Sequence, residues 1–147
     1  MKVVVQRVLE SSVLIDNIEK EEIKQGLMVL LGITYNDTED DIKYLVNKII
    51  NLRIFKKDNK MDLSVKDING DILLIPQFTL YANTKKGNRP SFENAMKPDV
   101  ANLLFEKFKS ELLNTNINSK FGKFGSHMQV SLINDGPVTI IIDSKDR

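Results

Sequence analysis

Three stretches of this 147-residue chain carry groups that could do chemistry. Gln77-Phe78-Thr79 follows an apolar run. Gln offers a donor and an acceptor and Thr a hydroxyl, so the pair can hold a carbonyl or a ribose hydroxyl without a charge. Asn134-Asp135-Gly136-Pro137-Val138-Thr139 sets a Gly-Pro bond between two apolar segments. Glycine reaches backbone angles closed to other residues. Proline lacks an N–H, and the peptide bond before it is one of the few that can be cis at tolerable cost. A rigid turn with bare carbonyls can read shape, but it cannot transfer a proton. Lys85-Lys86-Gly87-Asn88-Arg89 could hold phosphates, Lys as a point charge and Arg as a fork. Each stretch also has a plainer reading: a strand leaving the core, a hairpin connection, a solvated loop. Lys120 and Lys123 join the basic patch only if the fold brings them there.

The inventory excludes more than it offers. With no cysteine, disulfides, thiolate metal sites and cysteine nucleophiles are absent. His127 is the single histidine, so a Ser-His-Asp triad could be built only around it, with Ser126 or Ser131 as partner. No motif supports that triad or a metal site, and neither metal nor cofactor is expected. The formal charge of +1 announces no nucleic-acid partner, and any such contact needs a local basic patch. No apolar stretch is long enough for a bilayer. The opening Met1-Lys2-Val3-Val4-Val5-Gln6-Arg7 reads as a strand rather than a signal peptide, and the default expectation is a cytoplasmic protein without membrane contact. Arg7 lies in an apolar strand, where a charge needs a partner or an exit to water. It either faces outward or braces a nearby carbonyl or turn.

The elements that must position these groups follow from patterning. Lys2 to Leu14 predicts a strand, Asp16-Asn17 a turn, and Ile18 to Lys24 a polar hairpin partner closed by Gly26. Leu27 to Ile33 reads as a buried strand. Asn36-Asp37-Thr38 offers helix caps and Glu39, Asp40 and Asp41 suit a helix N-terminus. Ile42, Leu45, Val46, Ile49 and Ile50 then keep helical spacing. Phe55 to Asp71 is polar and ends in the turn pair Asn69-Gly70. Ile72 to Leu80 predicts another buried strand, on which Gln77 and Thr79 would share one face. Pro76 within it implies an edge, a bulge or the end of the ladder. Pro98 opens a second helix with an apolar stripe of Val100, Leu103, Leu104, Phe108 and Leu112. Asn114 to Gly125 looks like loop. Met128, Val130 and Leu132 alternate with Gln129 and Ser131 as a two-faced strand, and Val138 to Asp143 is the last strand. Without repeats or linkers, residues 1–147 read as a single α/β domain: a curved or barrel-like, mainly antiparallel sheet carrying two main helices.

Taken in order, these segments resemble the D-aminoacyl-tRNA deacylase (D-tyrosyl-tRNA deacylase) family. The match includes Val5-Gln6-Arg7-Val8, Leu30-Leu31-Gly32-Ile33, Gln77-Phe78-Thr79-Leu80 and Gly87-Asn88-Arg89-Pro90-Ser91-Phe92. It continues through Met128-Gln129-Val130-Ser131-Leu132 and Asn134 to Thr139. Each segment is weak alone, and together they span the chain.

The resemblance implies a homodimeric editing enzyme that hydrolyses the ester between a D-amino acid and the terminal ribose of tRNA, and that removes glycine mischarged on tRNA for alanine. By carry-over, Gly136 and Pro137 form a cis bond and reach into the partner's site, where their carbonyls close the space an L side chain needs. Gln77, Phe78 and Thr79 line the catalytic pocket. Arg7 and Met128 hold the Gly-Pro turn. Lys85, Lys86 and Arg89 are tRNA-binding candidates. One departure stands out: the family usually has Ser where this chain has Pro76, so any role of that hydroxyl does not transfer. An aminoacyl ester is already activated, and orienting it beside a water and the ribose 2′-OH supplies much of the acceleration. A chain with no visible acid-base pair is compatible with that, and Thr79 lacks a base to make it a nucleophile.

Overall fold

A computed structural model describes residues 1–147. The alternating Val-rich opening forms a long strand, β1 (Lys2–Ile15). Asp16 and Asn17 both adopt positive φ and turn the chain into β2 (Glu19–Ile23), as the turn pair predicts. β3 (Gly26–Gly32) returns along the other half of the same edge of β1.

Helix α1 (Glu39–Asn51) starts at Thr38, whose backbone N–H donates to Asp41 Oδ2 at 2.8 Å, half of a reciprocal cap. The polar stretch after it holds a small hairpin, β4 (Phe55–Lys57) and β5 (Lys60–Leu63), turned by Asp58 and Asn59 at positive φ. β6 (Asp71–Pro76) follows, then α2 (Pro98–Leu113), the three-residue β7 (Ser119–Phe121) and β8 (Met128–Asp143). The sheet runs β2 and β3 on one edge of β1, β8 on the other, and β6 and β7 beyond β3. Pairs to β1 are antiparallel, whereas β3–β6 and β6–β7 are parallel. The parallel pairs arise because α1 and α2 lie on the connections between those strands, which only a crossover can span. The sheet curls toward closure, and Lys120 on β7 meets Glu21 on β2 at 3.0 Å.

β6 is apolar on both faces because both are buried. Ile72 and Leu74 join the helix-covered core with Leu45, Ile49, Phe105 and Phe108. Leu73 and Ile75 join a second cluster inside the curl with Val8, Val13 and Met28. On α2 the buried stripe is Ala101, Phe105, Phe108 and Leu112. Val100 and Leu103 of the expected stripe are instead exposed, because the helix is rotated so that the larger aromatics take the core.

Two further corrections concern the functional segments. β6 ends at Pro76 rather than running to Leu80, and Phe78–Tyr81 forms a short 3-10 helix. Pro76 has no N–H for the ladder. The last parallel bond is therefore donated by Gln77 N to Leu31 O at 2.8 Å, after which the chain turns. The second correction is that Gly136-Pro137 is no hairpin connection. It lies inside the 16-residue β8, and both halves of that strand pair antiparallel with β1.

At the start of α1, Asp41 is almost fully buried and accepts from Lys145 Nζ at 2.8 Å and Arg147 Nη2 at 3.0 Å. Burial alone would raise its carboxyl. The bonds from Lys145, the Thr38 N–H and Arg147 outweigh that and hold it well below the usual range. A carboxylate depressed by folding adds stability above its unfolded pKa of about 3.9, and that stability is lost as pH falls toward the folded value. Asp41→Asn therefore lowers stability at pH 7 by about 2–3 kcal/mol, for the charged hydrogen bonds lost. The deficit begins to close below about pH 4 and narrows as pH falls toward the folded value. Urea midpoints of both proteins from pH 7 to pH 2 check this, and a pH-independent difference refutes it.

Candidate active site

A cavity of about 650 Å³ opens at the C-terminal end of β6, where the chain leaves the sheet. That end of a parallel strand is the usual place for ligands in α/β sheets. Its floor is Ile75, Pro76 and Met128, and its sides include Gln77, Phe78 and Phe92. The Phe78 and Phe92 rings meet edge to face, centroids 5.0 Å apart at 72°. Phe78 is half-exposed, so an apolar face is offered to whatever enters. Lys97, Ser126 and His127 also line the cavity.

The 3-10 helix brings Gln77 and Thr79 together by a route other than a shared strand face. Gln77 Nε2 donates to Thr79 Oγ1 at 2.5 Å. An amide is no base whichever way it is turned, so this contact orients the Thr79 hydroxyl without activating it. Tyr81 anchors the far end of the turn: a Cβ on Gly32 would lie 3.1 Å from its ring. Its hydroxyl is buried with no hydrogen-bond partner, and burial pushes the phenol up. His127 is held through its backbone, its N–H donating to Asp16 Oδ1 at 3.0 Å and its carbonyl accepting from Asp16 N at 2.9 Å.

The second feature stands elsewhere, on β8. Between Val8↔Asn134 and Gln6↔Thr139 the ladder shifts register, so Asp135 to Val138 bulge out of the strand. The Gly136–Pro137 peptide is cis, and both residues are exposed. Arg7, 3% exposed, lies beneath. Its Nε donates to Asp135 O at 3.1 Å and its Nη1 to Ile54 O at 2.5 Å. Of the two readings of Arg7, the inward brace is the one observed. Asn134 stands in for missing ladder partners: its Oδ1 accepts from Val138 N at 3.0 Å and its Nδ2 donates to Thr139 Oγ1 at 3.1 Å.

Residues 4–143 match the family model described as D-Tyr-tRNA(Tyr) deacylase. The D-aminoacyl-tRNA deacylase of Flavobacterium psychrophilum is 55% identical over 100% of this chain and 99% of its own. That of Thermosipho africanus is 50% identical over 99% of this chain and 98% of its own. The chain belongs to this deacylase family. Among solved structures, the c-Myc DNA Unwinding Element Binding Protein superposes with a TM-score of 0.90 at 41% identity, covering 97% of this chain and 98% of that one. A probable eukaryotic D-amino acid tRNA deacylase shares the fold, with a TM-score of 0.84 at 19% identity and coverage of 96% and 97%.

Set against the deacylase pattern, the sites predicted from sequence divide into two places. Gln77, Phe78 and Met128 meet at the cavity, and Thr79 is bonded to Gln77 at its edge. Gly136, Pro137 and Arg7 meet at the bulge. Met128 does not touch its own Gly136: eight positions of β8 separate them, roughly 26 Å at about 3.3 Å per residue. Lys85, Lys86 and Arg89 occupy an exposed loop between Asn83 and Ser91, which bridge its base. Lys120 is engaged by Glu21. Phe92, Lys97 and Phe124 line the cavity without having been singled out. Phe92 closes the segment Gly87 to Phe92 that carries part of the family resemblance, an aromatic beside a basic loop, and that was its signal. No group of three or more acidic or His side chains gathers to hold a metal, and no helix is long and apolar enough to cross a membrane.

Proposed function

We propose that this chain hydrolyses the ester of D-aminoacyl-tRNA, with the cavity at Gln77, Phe78 and Thr79 receiving the charged 3′ end. Family membership over the whole length supports the reaction. The arrangement of the bulge supports the stereochemistry. Gly136 and Pro137 stand exposed on a strand whose outer edge is unpaired, remote from their own cavity. A second copy of the chain would complete the site: the bulge of one subunit enters the cavity of the other, near the partner's Met128. Main-chain atoms then fill the room an L side chain needs. Glycine has no side chain to exclude, so glycine on tRNA for alanine is accepted by the same rule. Lys85, Lys86 and Arg89 would give the tRNA backbone a positive approach, and a tRNA substrate is in keeping with a cytoplasmic enzyme.

The residues at hand orient rather than ionise. Holding ester, water and ribose 2′-OH together lowers the barrier. Hydrogen-bond donors around the carbonyl stabilise the developing oxyanion. Incubation with D- and L-tyrosyl-tRNA side by side tests the reading: only the D ester is cleared faster than without protein. Tight tRNA binding without hydrolysis would make the chain a binding module instead. Thr79→Ala slows hydrolysis less than about tenfold, ~1.4 kcal/mol, because the hydroxyl supports and does not attack. Complete loss with unchanged tRNA affinity would make Thr79 the nucleophile. His127→Ala leaves the rate within about twofold; an abolished rate would instead favour a serine esterase.

A further inference from the structure

Gly122 is buried, and its backbone is ordinary, so conformational freedom does not explain it. Space does. A Cβ built there would lie 2.7 Å from Met128 Sδ, 3.1 Å from Ile75 Cδ1 and 3.2 Å from Pro76 Cδ. All three of these residues line the cavity at the end of β6. The main chain at Gly122 is pinned, its N–H donating to Leu74 O at 2.8 Å. Gly122 also borders a separate groove on the β7 side, so it lies between that groove and the residues that line the cavity.

We infer that Gly122 is a positioning residue that sets the depth of the cavity by letting the Met128 thioether lie back against the main chain. This rests on the proposed use of that cavity for the aminoacyl ester. A side chain at position 122 cannot push the pinned strand away. The nearest atom belongs to a flexible, unbranched side chain, and methionine repacks at low cost. The thioether therefore swings outward, into the space the substrate needs. The fold survives and the cavity shrinks. Pro76 sharpens the effect: a ring on the floor cannot rotate aside as a serine side chain could.

Gly122→Ala tests this with two readouts. Labelled at the methionine methyl carbon, the protein gives a Met128 resonance that Met128→Leu identifies by its loss. In Gly122→Ala that resonance moves while the urea midpoint stays near that of the parent. With D-tyrosyl-tRNA, KM rises roughly tenfold and kcat changes less than about twofold. Introduced into Met128→Leu, the same alanine costs less than about twofold, because the shorter side chain leaves room. A stationary methyl resonance, an unfolded Gly122→Ala protein, or an equal loss in both backgrounds overturns the inference. If the parent protein hydrolyses no D-tyrosyl-tRNA, the proposed function falls, while the methyl resonance still decides what Gly122 does.

Discussion

Gly136→Ala lowers kcat/KM for D-tyrosyl-tRNA at least about a hundredfold, ~2.7 kcal/mol of transition-state stabilisation. Gly136 has φ of 129°, a region that L side chains rarely enter. Its Cβ would also lie 2.8 Å from Val138 Cγ2 and 3.0 Å from Arg7 Nη2. Backbone strain of this kind costs about 1–3 kcal/mol. The bulge relieves it by moving, and the move displaces the carbonyls proposed to read the substrate. Rates on D and L esters, with urea midpoints on the same samples, separate damage to the site from damage to the fold. An unchanged preference for the D ester in a folded Gly136→Ala protein refutes the stereochemical reading. A mixing experiment isolates the cross-subunit element. Gly136→Ala protein, with a sound cavity, is combined with Gln77→Ala protein, with a sound bulge. Each is nearly inactive alone, and the mixed dimer regains one complete site. Activity that never exceeds the sum of the separate proteins argues against sharing between subunits.

Arg7→Ala carries the largest stability cost, about 2–5 kcal/mol, chiefly for the carbonyls it leaves without a donor. The guanidinium is buried and forks between two carbonyls, Asp135 O and Ile54 O. Truncation leaves both without a donor, at about 1–3 kcal/mol apiece. The Asp135 carboxylate, 3.1 Å from Nε, is 39% exposed, and that ion pair adds little. Arg7→Lys separates charge from geometry. A lysine keeps the cation but not the rigid fork, so it recovers less than half of the lost stability. Hydrolysis falls in both variants because the bulge is no longer held from below. Urea midpoints that match the parent for Arg7→Ala would show that the brace is dispensable.

Much of this architecture is legible in patterning alone. The Val-rich opening, the Asp16-Asn17 turn and the spacing of Ile42 to Ile50 lead directly to β1, its hairpin and α1, because each is decided by local turn chemistry or by one buried face. Elsewhere tertiary contacts decide. Ile72 to Leu80 is apolar almost throughout; Pro76 allowed an edge, a bulge or the end of the ladder, and nothing local chose among them or said that Phe78 turns outward. The signal was the missing N–H of the proline. β7 is three residues long in a polar stretch and exists because β6 offers it an edge. Gly136-Pro137 reads locally as a reversal. It becomes a bulge only because β1 is long enough to pair on both sides of it. The buried contacts of Arg7 join residues 128 and 47 positions apart, beyond any window of sequence.

β8 is a ruler. One end walls a cavity, its middle bears the bulge, and pairing with β1 from Ile15↔Met128 to Val8↔Asn134, with one register shift beside Asn134, fixes the span between them. Losing one residue between Met128 and Gly136 would turn every later side chain to the opposite face, and gaining two would lengthen the span by about 7 Å. In the proposed dimer that span is used twice, in opposite senses, so any such error would be doubled. Outside Met128, Asn134 and the Gly-Pro bulge the strand can exchange side chains more readily than it can change its length.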